Sequence, residues 1–556
     1  MKYSPLLAAL LLGAAPVAQV PALAAAPAAK VPVVKVPPID VALMKDTVKT
    51  LSADDMEGRG PSTAVEPKVL DAIIARFKAA GLKPGGEKGG WLQTVPTVEM
   101  TVAQSSPLTI GGVGFVRGSD FVATSFRHVP HTEIKDSDLV FVGYGINAPE
   151  LGWNDYAGVD MHGKVAVILI NDPDYAAKDE VGLFKGRRMT YYGRWTYKYE
   201  EAARQGARAA LIVHDTYPAA YGWNVVQSSW SGSEYYVARP DNAMDQTEAN
   251  GWIQMGVAKK VFAAAGKDFA ALSEAAKQKG FKAVPLGLKA SLSFDSTLRR
   301  SESHNVVGIQ KGRVKPDEVV LYSAHWDHLG HCEKDAKGDG ICNGAVDNAT
   351  GVGALVALAK ANVKAGPARR SQVFVALTLE ESGLLGSEFY GQNPLYPLAK
   401  TVGGVNMDAL APIGRARNYA ITGGDKSDLT GIFRAVLKQE GLYESPEDHS
   451  ERGHYYRSDH FSLAKRGVPM FDIARGQDLF AGGAKAGATA TEDYVEHRYH
   501  QPSDEYSDSW DWSGITQDVK VFYKLGRILA DGSMWPNWHK SDEFRGIRDA
   551  SLKSGK

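Results

Sequence analysis

The sequence is short of cysteine, of net charge and of long apolar runs. Only two of its 556 residues are cysteine, and the formal net charge is -1. A chain so close to neutral gives no electrostatic reason to expect nucleic acid or an anionic membrane as a partner. Beyond the N-terminus no apolar run is long enough for a transmembrane helix, so no stable membrane anchor is expected. The composition is otherwise that of a soluble globular protein, and the chain is long enough for two or three domains.

The first 26 residues differ from the rest of the chain. Lys2 precedes a short apolar run, residues 6–15, and small residues follow it. This order is typical of a secretory signal peptide, whose apolar core is too short to remain across a bilayer. A buried helix is the alternative, but Pro16 and Pro21 would break it. We therefore predict a signal peptide over residues 1–26 and a periplasmic or secreted protein.

The two cysteines, Cys332 and Cys342, lie in one loop rich in glycine and aspartate. An exported protein matures where disulfides persist, so we predict that they close this loop as a disulfide. A pair of soft metal ligands is the alternative. It is disfavoured because oxygen and imidazole ligands are already abundant nearby.

Residues 136–293 form the first of two regions with different patterns. Short apolar runs at 138–146, 163–170 and 209–215 predict buried strands, and residues 199–206 predict a helix between them. We interpret this region as a compact β-rich unit with one or two helices. It contains no set of residues typical of a nucleophile and its base, so chemistry is not expected there.

From His304 onwards, apolar β-branched runs alternate with helical patterns. They predict strands at 305–310, 318–324, 372–379 and 402–408 and helices at 351–363, 385–390, 428–439 and 512–530. Such alternation predicts an α/β fold, with a mostly parallel mixed sheet flanked by helices on both faces. Helical spacing also predicts helices at 41–51 and 66–80, the second ended by Gly81. Beyond Asp531 the polar tail predicts no element.

Histidine and acidic residues follow the predicted strands of this second region. They are His325, Asp327 and His328 after strand 318–324, Glu380 and Glu381 after strand 372–379, Asp408 at the end of strand 402–408, and Asp347 at a helix start. Alone, Asp347 would be a helix cap and the two glutamates a solvated pair. Together these side chains are expected to lie close to one another, because the carboxyl ends of parallel strands meet at one edge of a sheet. Charged groups there need a partner, and a divalent cation is the simplest one.

The chemical types of these side chains indicate which cation they suit. Imidazole mixed with carboxylate suits zinc or a related transition metal better than calcium or magnesium. Several carboxylates in the set indicate two ions, with one carboxylate bridging them. Asp327, two residues after His325, is expected to hold that imidazole through its second nitrogen.

Three segments resemble the motifs of the co-catalytic zinc aminopeptidases, a family that includes glutamate carboxypeptidase and the transferrin receptor ectodomain. They are Ser-Ala-His-Trp-Asp-His-Leu-Gly at 323–330, Asn-Gly-Ala-Val-Asp-Asn-Ala-Thr-Gly at 343–351 and Thr-Leu-Glu-Glu-Ser-Gly-Leu-Leu-Gly-Ser at 378–387. Asn406-Met-Asp408 and Tyr499-His-Gln-Pro-Ser-Asp504 match the last two metal motifs of that family. The resemblance covers most of residues 304–530, and the motifs follow in the family's order.

The resemblance implies two zinc ions and a role for each of these residues. The implied ligands are His325 and Asp408 for one ion, Glu381 and His500 for the other, and Asp347 as the bridge between them. Glu380 would be the general base, which takes a proton from the attacking water and passes it to the leaving amine.

Other histidines compete with His500 for the distal ligand position. His500 is preferred to His460 and His497, because its Tyr499-His500-Gln-Pro setting matches the family ligand. By the resemblance, His460 lines the site near the oxyanion without binding metal. Three further histidines are interpreted as solvated side chains or as neighbours of the ligands: His328, His331 and His454.

The resemblance also divides the chain into domains. Residues 136–293 resemble a protease-associated domain inserted into a zinc peptidase domain, which would comprise residues 40–135 and 294–535. In relatives with this insert, it roofs the substrate cleft. The chain lacks the long helical C-terminal domain by which the carboxypeptidase and receptor relatives dimerise, so a monomer is expected.

The function predicted from these residues is removal of N-terminal residues from peptides by a zinc exopeptidase. A carboxypeptidase is the alternative, and it would need arginines such as Arg457 and Arg475 around the substrate carboxylate. Glutaminyl cyclisation by a one-zinc relative is disfavoured, because the bridging and base positions are intact. A non-catalytic receptor on the same fold would have no need of a complete ligand set.

Overall fold

The computed structural model describes residues 31–555. The predicted signal peptide, residues 1–26, lies outside the described residues. Across the described chain, no helix combines the length and the apolar character that crossing a membrane requires.

The helices and strands have the following bounds. The helices are α1 (Val41–Leu51), α2 (Glu66–Ala80), α3 (Trp195–Arg204), α4 (Thr216–Ala219), α5 (Trp223–Ser229), α6 (Met255–Ala264), α7 (Phe269–Ala275), α8 (Thr350–Ala365), α9 (Leu385–Gln392), α10 (Leu429–Glu440), α11 (His460–Ala464), α12 (Gly483–His497), α13 (Ser513–Asp531) and α14 (Arg545–Ser554). The strands are β1 (Lys83–Pro84), β2 (Leu92–Ser105), β3 (Leu108–Ile110), β4 (Val113–Phe115), β5 (Phe121–Thr124), β6 (His131–Phe141), β7 (Asn147–Ala148), β8 (Trp153–Asn154), β9 (Val165–Leu169), β10 (Ala209–His214), β11 (Ser233–Val237), β12 (Ala249–Gln254), β13 (Val284–Gln310), β14 (Lys315–His325), β15 (Gly330–His331), β16 (Ile341–Cys342), β17 (Arg370–Leu377), β18 (Thr401–Asn406), β19 (Asn418–Ile421), β20 (Tyr443–Glu444) and β21 (Met470–Arg475).

The second half of the chain builds a mixed sheet around four parallel strands. β17, β14, β18 and β21 lie side by side in that order and run parallel. β13 and β19 flank them as antiparallel neighbours. The predicted α/β sheet is thereby confirmed. Its parallel centre explains why functional side chains gather at one edge.

Successive residues of β14 point to opposite faces of this sheet, which is why helices cover both faces. Val320 and Tyr322 pack into the core formed with α1, α2, α8 and α13. Val319 and Leu321 pack into the core on the other face, with residues of α9 and α11. Helices α1 and α2 have the bounds predicted from the sequence, and Gly81 ends α2 with a φ of +90°.

Strand β13 is 27 residues long and joins the two halves of the molecule. Its C-terminal part pairs with β2 and β17. Its N-terminal part pairs with β6 of a second set of strands, in which β6, β9, β10 and β12 run parallel. β5 pairs with β12, although it precedes the predicted insert. Both predicted limits of the insert, after residues 135 and 293, therefore fall inside strands, β6 and β13.

The region predicted as β-rich carries helices α3–α7 rather than one or two helices. α4, α5 and α7 are only 4, 7 and 7 residues long. Segments this short do not complete enough turns to show a helical period in the sequence. The strand predicted at 138–146 ends at Phe141, because Gly143 and Gly145 adopt positive φ angles.

The two halves share an aromatic core, to which the C-terminal tail contributes. Tyr191 lies against Phe461, at 5.1 Å between ring centroids, and Phe544 packs beside both rings. The tail, for which no element is predicted, carries helix α14. Trp538 before it is buried and donates a hydrogen bond to the carbonyl oxygen of Gly467. The tail is mostly polar, so its few buried aromatic side chains form no pattern from which this helix could be predicted.

The two cysteines form a disulfide, with their Cα atoms 5.9 Å apart. β15 and β16 pair as antiparallel strands beside it. The loop that follows His325 is therefore crosslinked, and the prediction of a disulfide rather than a pair of metal ligands is confirmed.

His304 connects β13 to helix α2 through Glu66. Nδ1 of His304 lies 2.9 Å from Oε1 of Glu66, and this hydrogen bond raises the pKa of His304 above its usual value of 6.5. Because the folded-state pKa is raised, the stabilisation is fully present below the unfolded-state pKa and is lost as the pH rises through the folded-state pKa. We expect His304→Gln to lower the free energy of unfolding by about 1 kcal/mol at mildly acidic pH and by less at alkaline pH.

Urea unfolding at the two pH values checks this prediction. His331→Gln is the matched control, because His331 is exposed; its effect should be small at both. An equal loss for His304→Gln at both pH values would contradict the assigned hydrogen bond.

Candidate metal centre

The five predicted ligands meet at the carboxyl ends of the parallel strands. They are His325 at the end of β14, Glu381 after β17, Asp408 after β18, Asp347 in the turn before α8, and His500 in the loop after α12. His325 and Asp347 are almost fully buried, at 1% and 4% exposure. The topology brings together residues that are far apart in the chain, because parallel neighbours end at one edge of the sheet.

Asp347 links two groups of ligand atoms. Its Oδ1 lies 3.3 Å from His325 Nε2, which is also 3.1 Å from Asp408 Oδ1. Its Oδ2 lies 3.3 Å from His500 Nε2, which is also 3.1 Å from Glu381 Oε2. Each oxygen of Asp347 thus faces a different imidazole. Each group offers one imidazole nitrogen and two carboxylate oxygens.

The ligand atoms of His325, Asp347 and Asp408 lie within 4.8 Å of one another, close enough to hold one metal ion, and on the other side of Asp347 the same holds for Glu381 with His328. Ligand atoms held by a tetrahedral zinc ion are about 3.3 Å apart. His500 Nε2 is buried and makes no hydrogen bond among the described residues. Within the described chain the carboxylates of Asp347, Glu381 and Asp408 are paired with histidines, not with lysine or arginine. A divalent cation would supply the missing positive charge.

Asp504 holds the turn that carries Asp347. Its carboxylate accepts hydrogen bonds from the N–H groups of Val346 and Asp347, both at 3.1 Å, and its backbone oxygen accepts one from Ala345. Helix α8 begins only at Thr350, so Asp347 is not a cap of its first turn. The side chain of Asp347 is therefore left to face the two imidazoles.

Asp327 supports the loop of the two glutamates. Its carboxylate oxygens accept hydrogen bonds from the N–H groups of Glu380 at 3.1 Å and Glu381 at 3.3 Å. His325 Nδ1 lies 3.2 Å from the backbone oxygen of Asp327 and 3.7 Å from its carboxylate. The contact predicted between the carboxylate and the second nitrogen of His325 is thus made by the carbonyl group instead.

Asp408 is oriented by a chain of side-chain hydrogen bonds. Ser323 Oγ donates to Asn406 Oδ1, and the amide of Asn406 donates to Ser458 Oγ. Ser458 Oγ in turn donates to Asp408 Oδ2 at 2.7 Å. Because Oδ2 is occupied, Oδ1 is the oxygen that faces His325.

Glu380 is partly buried beside the predicted ligands. Burial, and after it the negative charges of Asp408 and Glu381, raise the pKa of Glu380 well above its usual value of 4.5. The positive charge of His325 acts in the opposite direction. A carboxyl group whose protonation depends on nearby charge suits proton transfer.

Comparison with known protein families identifies this part of the chain. Residues 305–524 match the model of Peptidase family M28. The match covers less than half of the chain. The matched range contains all five predicted ligands, with Glu380 and Asp327 between them.

Curated relatives and solved structures are similar to parts of this chain. Aminopeptidase NAALADL1 of Mus musculus and of Rattus norvegicus is 32% identical over 130 residues, which are 22% of this chain and 16% of each relative. An aminopeptidase from Aneurinibacillus sp. strain AM-1 is 20% identical with a TM-score of 0.46. BSAP, a zinc aminopeptidase from Bacillus subtilis, is 17% identical with a TM-score of 0.38. Both structural alignments cover 88% of this chain and 94% of the other.

Arg59, which precedes the residues matched by the M28 model, contacts the backbone of two ligand loops. Its guanidinium is fully buried and donates to the carbonyl oxygens of Trp326, Asn343 and Gly344, at 2.6 to 2.8 Å. These carbonyl groups belong to the two loops that carry His325 and Asp347. Sequence reasoning missed Arg59, because an isolated arginine in a turn has no pattern that indicates distant partners.

The remaining histidines of residues 305–524 are either exposed or buried. Four are exposed, as expected of solvated side chains: His331, His449, His454 and His497. His460 is buried, and neither of its ring nitrogens has a hydrogen-bond partner in the described chain. His328 is also buried, and its Nδ1 lies 2.7 Å from Glu381 Oε1. It is therefore a neighbour of the ligands and not a solvated residue.

Replacing Asp504 tests whether its hydrogen bonds to the turn at residues 346–347 position the ligands. In Asp504→Asn, one of the two acceptor oxygens becomes an NH2 group that cannot accept the N–H bonds of the 346–347 turn. We expect zinc affinity to fall about 10- to 100-fold, while the fold is retained. The measurement is competition for zinc with a chelator of known affinity. Asp508→Asn is the control, because Asp508 is exposed in the same loop; a variant at Asp504 with wild-type affinity would refute the role.

Proposed function

We propose that this chain is a two-zinc exopeptidase that removes N-terminal residues from peptides in the periplasm or outside the cell. The observation that carries the proposal is the position of Asp347, whose two oxygens face two imidazoles. In this position one carboxylate can bridge two ions. His325 and Asp408 would hold the first ion, and His500 and Glu381 the second.

Peptide hydrolysis at this centre needs a base, and Glu380 would supply it. When bound, the zinc ions would provide Lewis acidity and lower the pKa of a water. Glu380 would accept the proton of the attacking water at its carboxylate and deliver it to the leaving amine. Asp327 keeps the backbone of Glu380 in place through the hydrogen bond that it accepts from the Glu380 N–H.

The region predicted as a protease-associated domain would cover the substrate cleft. Its strand β11 pairs with β2, and Val237 of β11 shares a small apolar core with Leu379 and Leu385. Leu379 directly precedes Glu380. A cover this close to the base favours the ends of peptides over the interior of folded chains, which supports an exopeptidase.

A carboxypeptidase is the second candidate, because two arginines lack acidic partners among residues 31–555. Arg194 has a buried Nε with no hydrogen-bond partner in the described chain. Arg457 donates to the backbone oxygen of Arg452. Burial and the charge of Arg457 lower the pKa of Arg194 to about 10, so the two guanidinium groups repel each other. A substrate carboxylate would relieve this repulsion. Arg475 cannot contribute as predicted, since it is paired with Asp518.

The test is hydrolysis of aminoacyl-nitroanilides beside N-blocked dipeptides, with and without a chelator. We expect release from the free-amine substrates, loss of activity with the chelator and recovery when zinc is added. Glu380→Gln should lower kcat about 10²- to 10⁴-fold because the base is lost, while zinc content stays unchanged. Glu496→Gln, an exposed glutamate of α12, is the matched control.

The other outcomes separate the alternatives. Cleavage confined to N-blocked substrates would reject the aminopeptidase and favour the carboxypeptidase, and Arg194→Gln should then raise KM. If zinc-loaded protein turns over neither substrate class, the receptor-like alternative is favoured.

The number of ions is tested by metal analysis of two aspartate variants. Wild-type protein should contain about two zinc ions per chain. Asp408→Asn should lose about one of them, because Asp408 belongs to only one ligand group. Asp347→Asn should weaken the binding of both ions, since one oxygen of Asp347 faces each ligand group. Inductively coupled plasma mass spectrometry after dialysis measures the zinc content per chain. A wild-type content of one ion per chain would contradict the two-zinc arrangement.

A further inference from the structure

The two oxygens of Glu381 face different imidazoles. Oε2 lies 3.1 Å from His500 Nε2, in the proposed second metal group. Oε1 lies 2.7 Å from Nδ1 of His328, whose residue is 1% exposed. Nothing in the proposed function gives His328 a role, although its side chain contacts a proposed ligand directly.

We infer that His328 is a positioning residue for Glu381. Its Nδ1–H donates to Oε1 of Glu381 and so leaves Oε2 as the oxygen that faces the second metal group. The inference rests on the proposed function, since that function makes Glu381 a ligand. It assigns no metal bond to His328 itself.

The ring of His328 is held in one orientation by its neighbours. The ring of His500 lies edge to face with it, at 5.6 Å between centroids and an interplanar angle of 73°. On another side, a Cβ atom at Gly344 would lie only 2.5 Å from Cγ of His328, so only glycine leaves room for the ring there. The backbone N–H of His328 points to the carbonyl oxygen of Arg59 at 3.4 Å. The hydrogen bond to Glu381 is therefore made by a ring with little freedom to turn.

The contacts of its two nitrogens indicate the tautomer of His328. Nδ1 faces a carboxylate oxygen, which can only accept, so Nδ1 carries a proton. Nε2 is buried and has no hydrogen-bond partner in the described chain. A neutral ring protonated at Nδ1 leaves no buried donor unsatisfied at Nε2, which favours this tautomer.

The alternative is that His328 is itself a ligand. Its ligand atom lies within 4.8 Å of those of Asp347 and Glu381, close enough for the three to surround an ion. The distance of 2.7 Å to Glu381 favours a hydrogen bond over a shared metal ion. It is the length of a charge-assisted hydrogen bond, whereas the proposed ligand pairs are 3.1 to 3.3 Å apart.

Removing this hydrogen bond should weaken one of the two zinc-binding steps. In His328→Leu the volume is largely kept but the donor is lost, so Glu381 is free to rotate. We expect the affinity of one step to fall about 10- to 100-fold, with the other step close to wild type. His328→Asn places an amide N–H near the position of Nδ1 and should restore most of the affinity. The two dissociation constants are measured by zinc titration against a chelating dye.

His331→Asn is the matched control, because His331 lies three residues on and is exposed; both of its binding steps should equal those of wild type. Unchanged binding in His328→Leu would overturn the inference. So would an Asn variant as weak as the Leu variant, because the hydrogen bond would then not be the cause. If the Leu variant does not fold, His328→Ala takes its place.

A second measurement needs no metal and keeps the inference separate from the proposed function. In metal-free protein, the thermal unfolding midpoints of His328→Leu, Glu381→Gln and the double variant form a mutant cycle. Non-additive effects support the hydrogen bond, and strictly additive effects overturn it. Wild-type protein that binds no zinc would contradict the proposed function, and this cycle would still decide the role of His328.

Discussion

Buried negative charge is the constraint on which the rest of this structure depends. Asp347, Glu381 and Asp408 converge at one edge of the sheet, and Glu380 lies partly buried beside them, where desolvation and repulsion raise its pKa. Carboxylates are tolerated in such surroundings only with counter-charge and hydrogen bonds. The imidazoles within the cluster provide part of that compensation. The proposed cations would provide the rest. Metal binding and the stability of this edge of the sheet would therefore depend on the same buried charges.

The loops that carry these carboxylates are held by groups on their far side. Asp504 and Asp327 accept hydrogen bonds from N–H groups of the ligand loops, while the guanidinium of Arg59 donates hydrogen bonds to their carbonyl oxygens. Each loop is thus bound through its backbone, and its side chains are left to face the centre. A metal site needs its ligands within about 0.5 Å of the productive geometry. A frame of buried hydrogen bonds provides that precision, whereas flexible carboxylates alone would not.

The second unit is joined to the first by a strand, an aromatic contact and an ion pair. Strand β13 pairs with strands of both halves, and Tyr191 lies against Phe461 in a core that both halves share. Arg188 adds a largely buried ion pair with Glu447 across the same boundary. These contacts join the second unit to the part of the chain that carries the proposed ligands.

From the sequence alone follow the α/β class, helices α1 and α2, the disulfide and the set of residues that end the strands. Each of these has a local signal, because an apolar run, a helical period or a motif is complete within a few residues. Only the tertiary structure decided the roles of Asp504 and Arg59, the extent of β13 and the anchoring of helix α14. Arg59 bonds to Trp326 across 267 residues of sequence. A hydrogen bond at that separation leaves no periodicity in the sequence, since it depends on how the whole chain packs.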